Sequence, residues 1–276
     1  MPGAVDPIYV AARATLLDAL QALEGHRASI ILVGAQAVYL HTGDADVAVA
    51  PYTTDGDLAL DPRILGDQPA LEAAMVAGGF ALKVDQVGIW TGARAVDEKI
   101  VTVDLLVPDS LGGGGTRGAR LDGHDRKAAR KVRGIEGCLI DKSTFTIASL
   151  EASDLRSFEL AVAGPAALLV SKCYKLGERI ADGGRRVKAK DAHDVLRLLR
   201  GVPTEALALG FTIMKADEVS RDVAETGLTY LKSLFASARL AGCDLAAQAA
   251  AGLENEETVR QSCATLTSDL VEAIPS

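Results

Sequence analysis

Aromatic residues are scarce in this chain of 276 residues, at 4%, although hydrophobic residues as a whole reach 49%, enough for a substantial core. No apolar run approaches the roughly 20 residues that a membrane-spanning helix needs. The N-terminal segment does not combine a basic start with an apolar run, so it does not resemble a signal peptide. These absences argue against a membrane-embedded or secreted class. We therefore expect a cytoplasmic protein with one large domain or two modest ones.

Cysteine is also rare, and its spacing excludes the usual cysteine-based sites. The four cysteines are far apart and form no Cys-x-x-Cys pair: Cys138, Cys173, Cys243 and Cys263. This pattern fits neither a structural zinc site nor a disulfide framework. We expect all four thiols to be reduced.

Positive charge is scarce overall, with a net charge of −8, but it is concentrated in two short stretches. Residues 117–133 and 172–190 hold 14 of the 29 lysines and arginines, and each stretch carries a local charge of +5. Such segregation is what a binding site for a polyanion requires. The alternative is that both stretches are solvated basic surfaces with no ligand.

Apolar periodicity predicts an α+β fold with a change of character near residue 155. Residues 1–155 alternate between short strand patterns and helical patterns, whereas residues 156–276 are dominated by helical patterns. We therefore predict an α/β domain over 1–155 and a helical domain over 156–276. Helices are predicted at 6–24, 68–77, 164–180, 188–200, 215–239 and 255–273, and the segment 111–125 is predicted to be a flexible loop.

Two aspartates, Asp55 and Asp57, stand one residue apart in the segment TTDGDLAL, which otherwise has the pattern of a strand. Residues i and i+2 of a strand point to the same face, about 6.6 Å apart. Two carboxylates on one face repel each other and favour the binding of a divalent cation. The alternative is a turn at the edge of a sheet, because Thr-Asp-Gly-Asp is also suited to turns.

A third carboxylate, Asp104, lies within the apolar strand pattern KIVTVDLLVP. A buried charge there is costly unless it is paired or binds a metal ion. If this strand lies beside the strand of Asp55 and Asp57, the three carboxylates could hold two Mg²⁺ ions about 4 Å apart. The alternative is that Asp104 is exposed on an edge strand.

A phosphate could bind where the segment VGAQAV passes from a strand through Gly34 into a helix. The first turn of a helix has free backbone N–H groups, and the helix dipole favours an anion there. The glycine run at 112–115 is a weaker candidate, because it lacks the Lys-Ser/Thr pair that follows a phosphate-binding loop.

The order of these features resembles the nucleotidyltransferase superfamily with a polymerase-β-like core. The features are a strand, a glycine, a helix, a strand with Asp-x-Asp, and a lone aspartate in a later strand. Residues 171–199, SKCYKLGERIADGGRRVKAKDAHDVLRLL, are similar to a helical Lys…Arg…Lys-Asp-x-x-Asp-Leu motif of AbiEii/MenT-type nucleotidyltransferase toxins. The resemblance spans roughly residues 25–200. It implies a mixed sheet with flanking helices, followed by a helical half that contributes to the active-site cleft.

In the strand-rich half, the resemblance implies a role for five residues. Gly34 and Ala35 would contact the triphosphate, Asp55 and Asp57 would ligate Mg²⁺, and Asp104 would be a third ligand or a general base. The family usually has glycine or serine where Ala35 stands, so a hydroxyl contact to phosphate is missing here.

In the helical half, the resemblance implies that Lys172 holds the nucleotide phosphates and that Asp191 or Asp194 completes the catalytic site. The alternative is that this segment is a surface helix without a catalytic role, with Lys172 solvated and Lys190 paired with Asp194. His193, between the two aspartates, is predicted to lie on the surface.

The implied activity is the transfer of NMP from an NTP to an acceptor. The acceptor expected first is the 3′ end of a tRNA, and the protein would be the toxin of a toxin–antitoxin or abortive-infection system, with a cognate antitoxin as partner. The basic residues predicted to bind RNA are Arg126, Lys127, Arg130, Lys131, Arg185 and Arg186. Two alternatives remain: a nucleotidyltransferase that modifies an antibiotic or a protein side chain, and a nucleotide-binding module without catalysis.

Overall fold

The computed structural model describes residues 5–43, 52–96 and 98–275. Within these residues the chain has an α+β fold with one mixed eight-stranded sheet and nine α-helices. It divides into two compact units. The first contains the sheet, the helices α1 (Pro7–Ala22) and α3 (Leu71–Ala77), and the start of α2 (Gly34–Thr42); the second contains the rest of α2 and the C-terminal helices.

The sheet of the first unit has the order β3-β4-β5-β2-β1-β8-β7, and β6 pairs with β5 beyond the end of β4. Its strands are β1 (Ile30–Val33), β2 (Asp55–Leu60), β3 (Ala81–Leu82), β4 (Ile89–Val96), β5 (Lys99–Pro108), β6 (Arg130–Val132), β7 (Lys142–Ala148) and β8 (Ser157–Ala163). Strand β2 is antiparallel to β1 and parallel to β5, so it lies inside the sheet. The edge-strand alternative for Asp55 and Asp57 is therefore wrong.

Helix α1 covers one face of the central strands. Asp6 caps its first turn by accepting a hydrogen bond from the Ile8 backbone N–H at 2.8 Å, and Pro7 occupies the first helical position, where its missing N–H is not needed. The leucines Leu16, Leu17 and Leu20 are fully buried. Burial of such a side chain contributes about 1.5–3 kcal/mol, so α1 fixes the sheet from behind.

The glycine-rich segment after β5, predicted to be a flexible loop, is held by several backbone hydrogen bonds. The Ala119 N–H donates to Ala129 O at 3.0 Å, and the Lys131 N–H donates to Arg117 O at 2.8 Å. His124 connects this loop to the start of α3: its Nδ1 accepts from the Leu71 N–H, and its Nε2 lies 3.0 Å from Gly66 O. These two partners require a neutral ring that carries its proton on Nε2.

Acidification is expected to weaken this connection. Burial, together with the neighbouring His26, lowers the pKa of His124 against the opposing effect of the Gly66 carbonyl. Because the folded state disfavours the protonated ring, the unfolded chain takes up the proton first, and stability should fall as the pH drops below about 6.5.

Urea unfolding of the wild type and of a His124→Asn variant between pH 7.5 and 5 measures this effect. Asparagine keeps an acceptor for the Leu71 N–H but does not titrate, so the variant should lose stability less steeply. The pKa values of His41 and His193 are also lowered by burial, so the difference between the two proteins is the relevant quantity. Parallel pH profiles would contradict the assignment to His124.

The second unit is built from the helices that follow the sheet. They are α4 (Pro165–Ala181), α5 (Ala189–Gly201), α6 (Thr204–Ala216), α7 (Arg221–Phe235), α8 (Ala241–Ala249) and α9 (Glu256–Ala273). The helix predicted over 215–239 is wrong at both ends, because α6 ends at Ala216 and α7 runs from Arg221 to Phe235. No helix in the described part of the chain combines the length and apolar character needed to cross a bilayer.

The N-terminus of α4 is capped from a distant part of the sequence. The half-buried carboxylate of Asp141 accepts a hydrogen bond from the Ala167 N–H at 2.9 Å, and a Cβ atom at Gly164 would lie 2.0 Å from this carboxylate. Burial raises the pKa of Asp141 although the helix N–H groups and His41 lower it. This cap fixes the start of the helix that carries Lys172.

Candidate active site

The turn from β1 into α2 brings Gly34 against Asp57. Gly34 has a φ of +71°, a conformation that favours glycine, and a Cβ atom there would lie 2.0 Å from Oδ2 of Asp57. Position 34 therefore has to be glycine for two independent reasons. The sequence predicted a phosphate contact at Gly34, and the structure adds that this glycine makes room for a carboxylate of the candidate site.

The two aspartates of β2 and the aspartate of β5 lie on one face of adjacent strands. Asp57 is directly opposite Asp104 in the parallel pairing of β2 with β5, and Asp55 is opposite Thr102. Asp104 is only 6% exposed, whereas Asp55 and Asp57 are half-buried. Because β5 lies between β4 and β2, the edge-strand alternative for Asp104 is also wrong.

Two of these carboxylates have identified partners. Asp104 accepts a hydrogen bond from Nη2 of Arg130 at 2.5 Å and forms an ion pair with it. Asp55 accepts from the hydroxyl of Thr53, which is buried, at 2.5 Å. The charge of Asp104 is thus balanced by a cation of the chain itself.

The donor set is chemically suited to Mg²⁺, which prefers carboxylate oxygens and forms sites with one or two of them. Across residues 5–43, 52–96 and 98–275, no group of three or more His, Cys, Asp or Glu side chains is assembled around one point. Asp55, Asp57 and Asp104 could hold the ion together only if Asp104 exchanged its contact with Arg130 for a contact with the metal. The three carboxylates therefore suit Mg²⁺ by their chemistry, although in the described residues they are not arranged around one point.

A buried polar network braces Asp55 from behind the sheet. Gln36, in the first turn of α2, donates from Nε2 to the Asp55 carbonyl at 3.1 Å and accepts from Nε of Arg13 at 2.8 Å. Arg13 is 3% exposed, and its other nitrogens bond to Tyr9 OH and to the Ala148 carbonyl. Arg13 and Gln36 were not predicted as site residues; the one signal in the sequence was an arginine within the apolar pattern of α1.

In the second unit, Lys172 lies between two buried carboxylates. Its ammonium is 2.6 Å from Oδ2 of Asp194 and 3.2 Å from Oδ1 of Asp191, and all three residues are at most 5% exposed. Asp191 also pairs with Lys175 at 2.9 Å and with Arg179 at 3.1 Å. The alternatives of a solvated Lys172 and of a pair between Lys190 and Asp194 on a surface helix are wrong.

The electrostatics of this cluster keep Asp191 ionised. Burial by itself would raise the pKa of Asp191, but the charges of Lys172, Lys175 and Arg179 outweigh burial and hold the pKa well below its ordinary value. Asp191 also lies in the first turn of α5, where the helix dipole favours a negative charge.

His193 is buried rather than on the surface, so that prediction is wrong. It is 2% exposed, and its Nε2 has no hydrogen-bond partner among the described residues. Burial lowers its pKa, and the charge of Arg197 acts in the same direction. The ring is therefore neutral near pH 7 and contributes mainly to the packing of α5.

The basic residues predicted to bind RNA fall into two groups. Lys131, like Arg130, is engaged: its ammonium is 3.3 Å from Asp109 and 3.0 Å from the Gly113 carbonyl. Arg126, Lys127 and Arg185 are exposed, and Arg186 is exposed but pairs with Asp182. Arg117 and Arg120 are also exposed, so the loop after β5 presents four cations to solvent.

No known protein family matches the sequence, and no curated protein matches it significantly. The function is therefore inferred from the geometry of the described residues and from the resemblance of the short motifs.

Proposed function

We propose that this protein is a Mg²⁺-dependent nucleotidyltransferase that moves an NMP group from an NTP to an acceptor. The observation that supports this most is the placement of Asp57 directly opposite Asp104, with Asp55 on the same face and the Gly34 turn beside Asp57. Carboxylates that share one face of adjacent strands favour a cation beside them, and a divalent cation next to a helix N-terminus suits a triphosphate.

In this proposal the strand residues have separate roles. Asp55 and Asp57 would hold Mg²⁺, which when bound would neutralise the charge of the phosphates and of the leaving pyrophosphate. The free N–H groups of the first turn of α2, from Gly34 and Ala35, would bind a phosphate oxygen. Asp104 would serve as a third ligand or would accept the proton of the attacking hydroxyl.

The reaction is a displacement at the α-phosphorus. The hydroxyl oxygen of the acceptor forms a bond to this phosphorus, and the bond to the bridging oxygen of the β-phosphate breaks. Pyrophosphate leaves with the electron pair of that bond, and the hydroxyl proton passes to Asp104 or to water. Gln36 would hold the backbone of Asp55 in place during this exchange, through its 3.1 Å bond to the Asp55 carbonyl.

RNA is the acceptor class that the charge distribution favours. Arg117, Arg120, Arg126 and Lys127 are exposed on one ordered loop, and none of them forms an ion pair within the described parts of the chain. Exposed cations on a fixed backbone suit a phosphate backbone, whose binding releases counterions. The motif resemblance adds the narrower proposal of a tRNA 3′ end as acceptor, and of a toxin with a cognate antitoxin.

The test is transfer of label from each of the four α-³²P-labelled NTPs to total tRNA in the presence of Mg²⁺. An Asp57→Asn variant should lose about a hundred- to a thousandfold in rate, the order seen when one group that stabilises the transition state is removed. The matched control is Asp67→Asn, an exposed aspartate of the same unit, which should transfer label like the wild type. Absence of transfer, or equal transfer by Asp57→Asn, would contradict the proposal.

A further inference from the structure

Arg130 binds one oxygen of Asp104, the carboxylate that lies opposite Asp57 in the pairing of β5 with β2. Its Nη2 lies 2.5 Å from Oδ2 of Asp104, which is 6% exposed, while the Arg130 side chain is 28% exposed. The buried Nε of Arg130 has no hydrogen-bond partner within the described residues. The guanidinium thus donates to Asp104 through Nη2, whereas its Nε lacks a partner within the described residues.

The backbone of Arg130 is fixed, whereas its side chain has solvent on one side. Arg130 is opposite Leu106 in the parallel pairing of β6 with β5. It also forms an antiparallel β-bridge with Gly118, in the loop after β5. Gly88 packs against its backbone so closely that a Cβ atom at position 88 would lie 2.6 Å from the Arg130 nitrogen. The guanidinium can therefore change partners while the chain around it stays in place.

We propose that Arg130 acts as an internal cation that competes with a divalent metal ion for Asp104. This inference rests on the proposed function and adds a positioning residue that sets the metal affinity of the site. A largely buried carboxylate needs a positive charge beside it, and the guanidinium supplies that charge when no metal does. Metal binding through Asp104 replaces this ion pair, so it is weaker by the free energy of the pair.

The displaced guanidinium also gains a function. Arginine presents a planar set of donors that matches phosphate oxygens, so Arg130 can turn from the carboxylate to a phosphate of the nucleotide or acceptor. Metal and phosphate would then bind cooperatively. The metal ion frees Arg130 by taking Asp104, and the phosphate frees Asp104 by taking Arg130.

The experiment measures Mn²⁺ binding to the nucleotide-free protein from the electron paramagnetic resonance signal of the unbound ion. Arg130→Gln should bind Mn²⁺ about tenfold more tightly than the wild type, the effect expected from losing one charged hydrogen bond that competes with the metal. The matched control is Lys131→Gln, which removes the same charge from the next residue, one paired with Asp109, and should stay within about twofold of the wild type. In an Asp104→Asn background, Arg130→Gln should give no gain.

The outcomes separate this inference from the proposed function. If Asp57→Asn weakens Mn²⁺ binding but Arg130→Gln and Lys131→Gln have equal effects, the role of Arg130 is overturned while the metal centre stands. If Asp57→Asn binds Mn²⁺ as the wild type does, the metal centre itself is contradicted. Should Arg130→Gln fail to fold, Arg130→Met removes the charge but keeps an unbranched side chain that can pack; an affinity equal to that of the wild type then counts against the competition.

Discussion

Replacing Lys172 by methionine is expected to lower the free energy of unfolding by about 3–5 kcal/mol, because the change leaves a buried carboxylate without its cation. Asp194 is 1% exposed, and its only ion pair among the described residues is the one with Lys172 at 2.6 Å. Asp191 would keep Lys175 and Arg179, so the loss falls mainly on Asp194. Urea denaturation followed by circular dichroism measures the effect.

Two variants make this expectation specific to the buried pair. Lys175→Met removes a lysine that contacts Asp191 but is 41% exposed, and it should cost no more than about 1 kcal/mol. The double variant Lys172→Met/Asp194→Asn removes both charges and should recover much of the stability, because the uncompensated charge is gone. A single Lys172→Met variant within 1 kcal/mol of the wild type would show that the cluster is more hydrated than its burial indicates.

The central strands of the sheet could be predicted because their signal is local. The segments that contain Asp57 and Asp104 have the patterns of strands, and the same-face position of Asp55 and Asp57 follows from the two-residue period of a strand. Strand β8 was not predicted, since its seven residues run directly into Gly164 and the apolar start of α4, and the combined run has the composition of a helix.

The partners of the site residues could not be predicted, because they depend on tertiary contacts. Nothing in the sequence indicates that Arg130 lies on a short strand parallel to β5, 26 residues after Asp104. His193 is buried because α5 is covered on nearly all sides. The sequence does not indicate this, because the N-terminal half of α5 is polar. Sequence patterns therefore predicted the strands themselves, and the structure was needed to show which strands pair and which charges balance each other.

Replacing Gly34 by alanine is expected to lower the free energy of unfolding by about 3 kcal/mol and to displace the Asp57 carboxylate. The φ of +71° costs an L-residue roughly 1–2 kcal/mol, and the new methyl group would overlap a packed side chain, which typically costs about 1–3 kcal/mol more. The methyl carbon would lie 2.0 Å from Oδ2, 2.7 Å from Cγ and 2.9 Å from Cβ of Asp57. Rotation of the carboxylate alone cannot relieve all three contacts, so Asp57 and its strand must shift.

Gly79→Ala separates the two parts of this effect. Gly79 belongs to the same unit and has a φ of +83°, but a Cβ atom there meets nothing within 4 Å. Gly79→Ala should therefore lower the free energy of unfolding only by the backbone conformational contribution, about 1–2 kcal/mol, and leave Mn²⁺ binding unchanged. Gly34→Ala should weaken Mn²⁺ binding as Asp57→Asn does, because both remove the carboxylate from its position beside the turn. Equal stability losses for the two glycine variants would mean that the contact with Asp57 is easily relaxed, and that Gly34 serves the backbone turn alone.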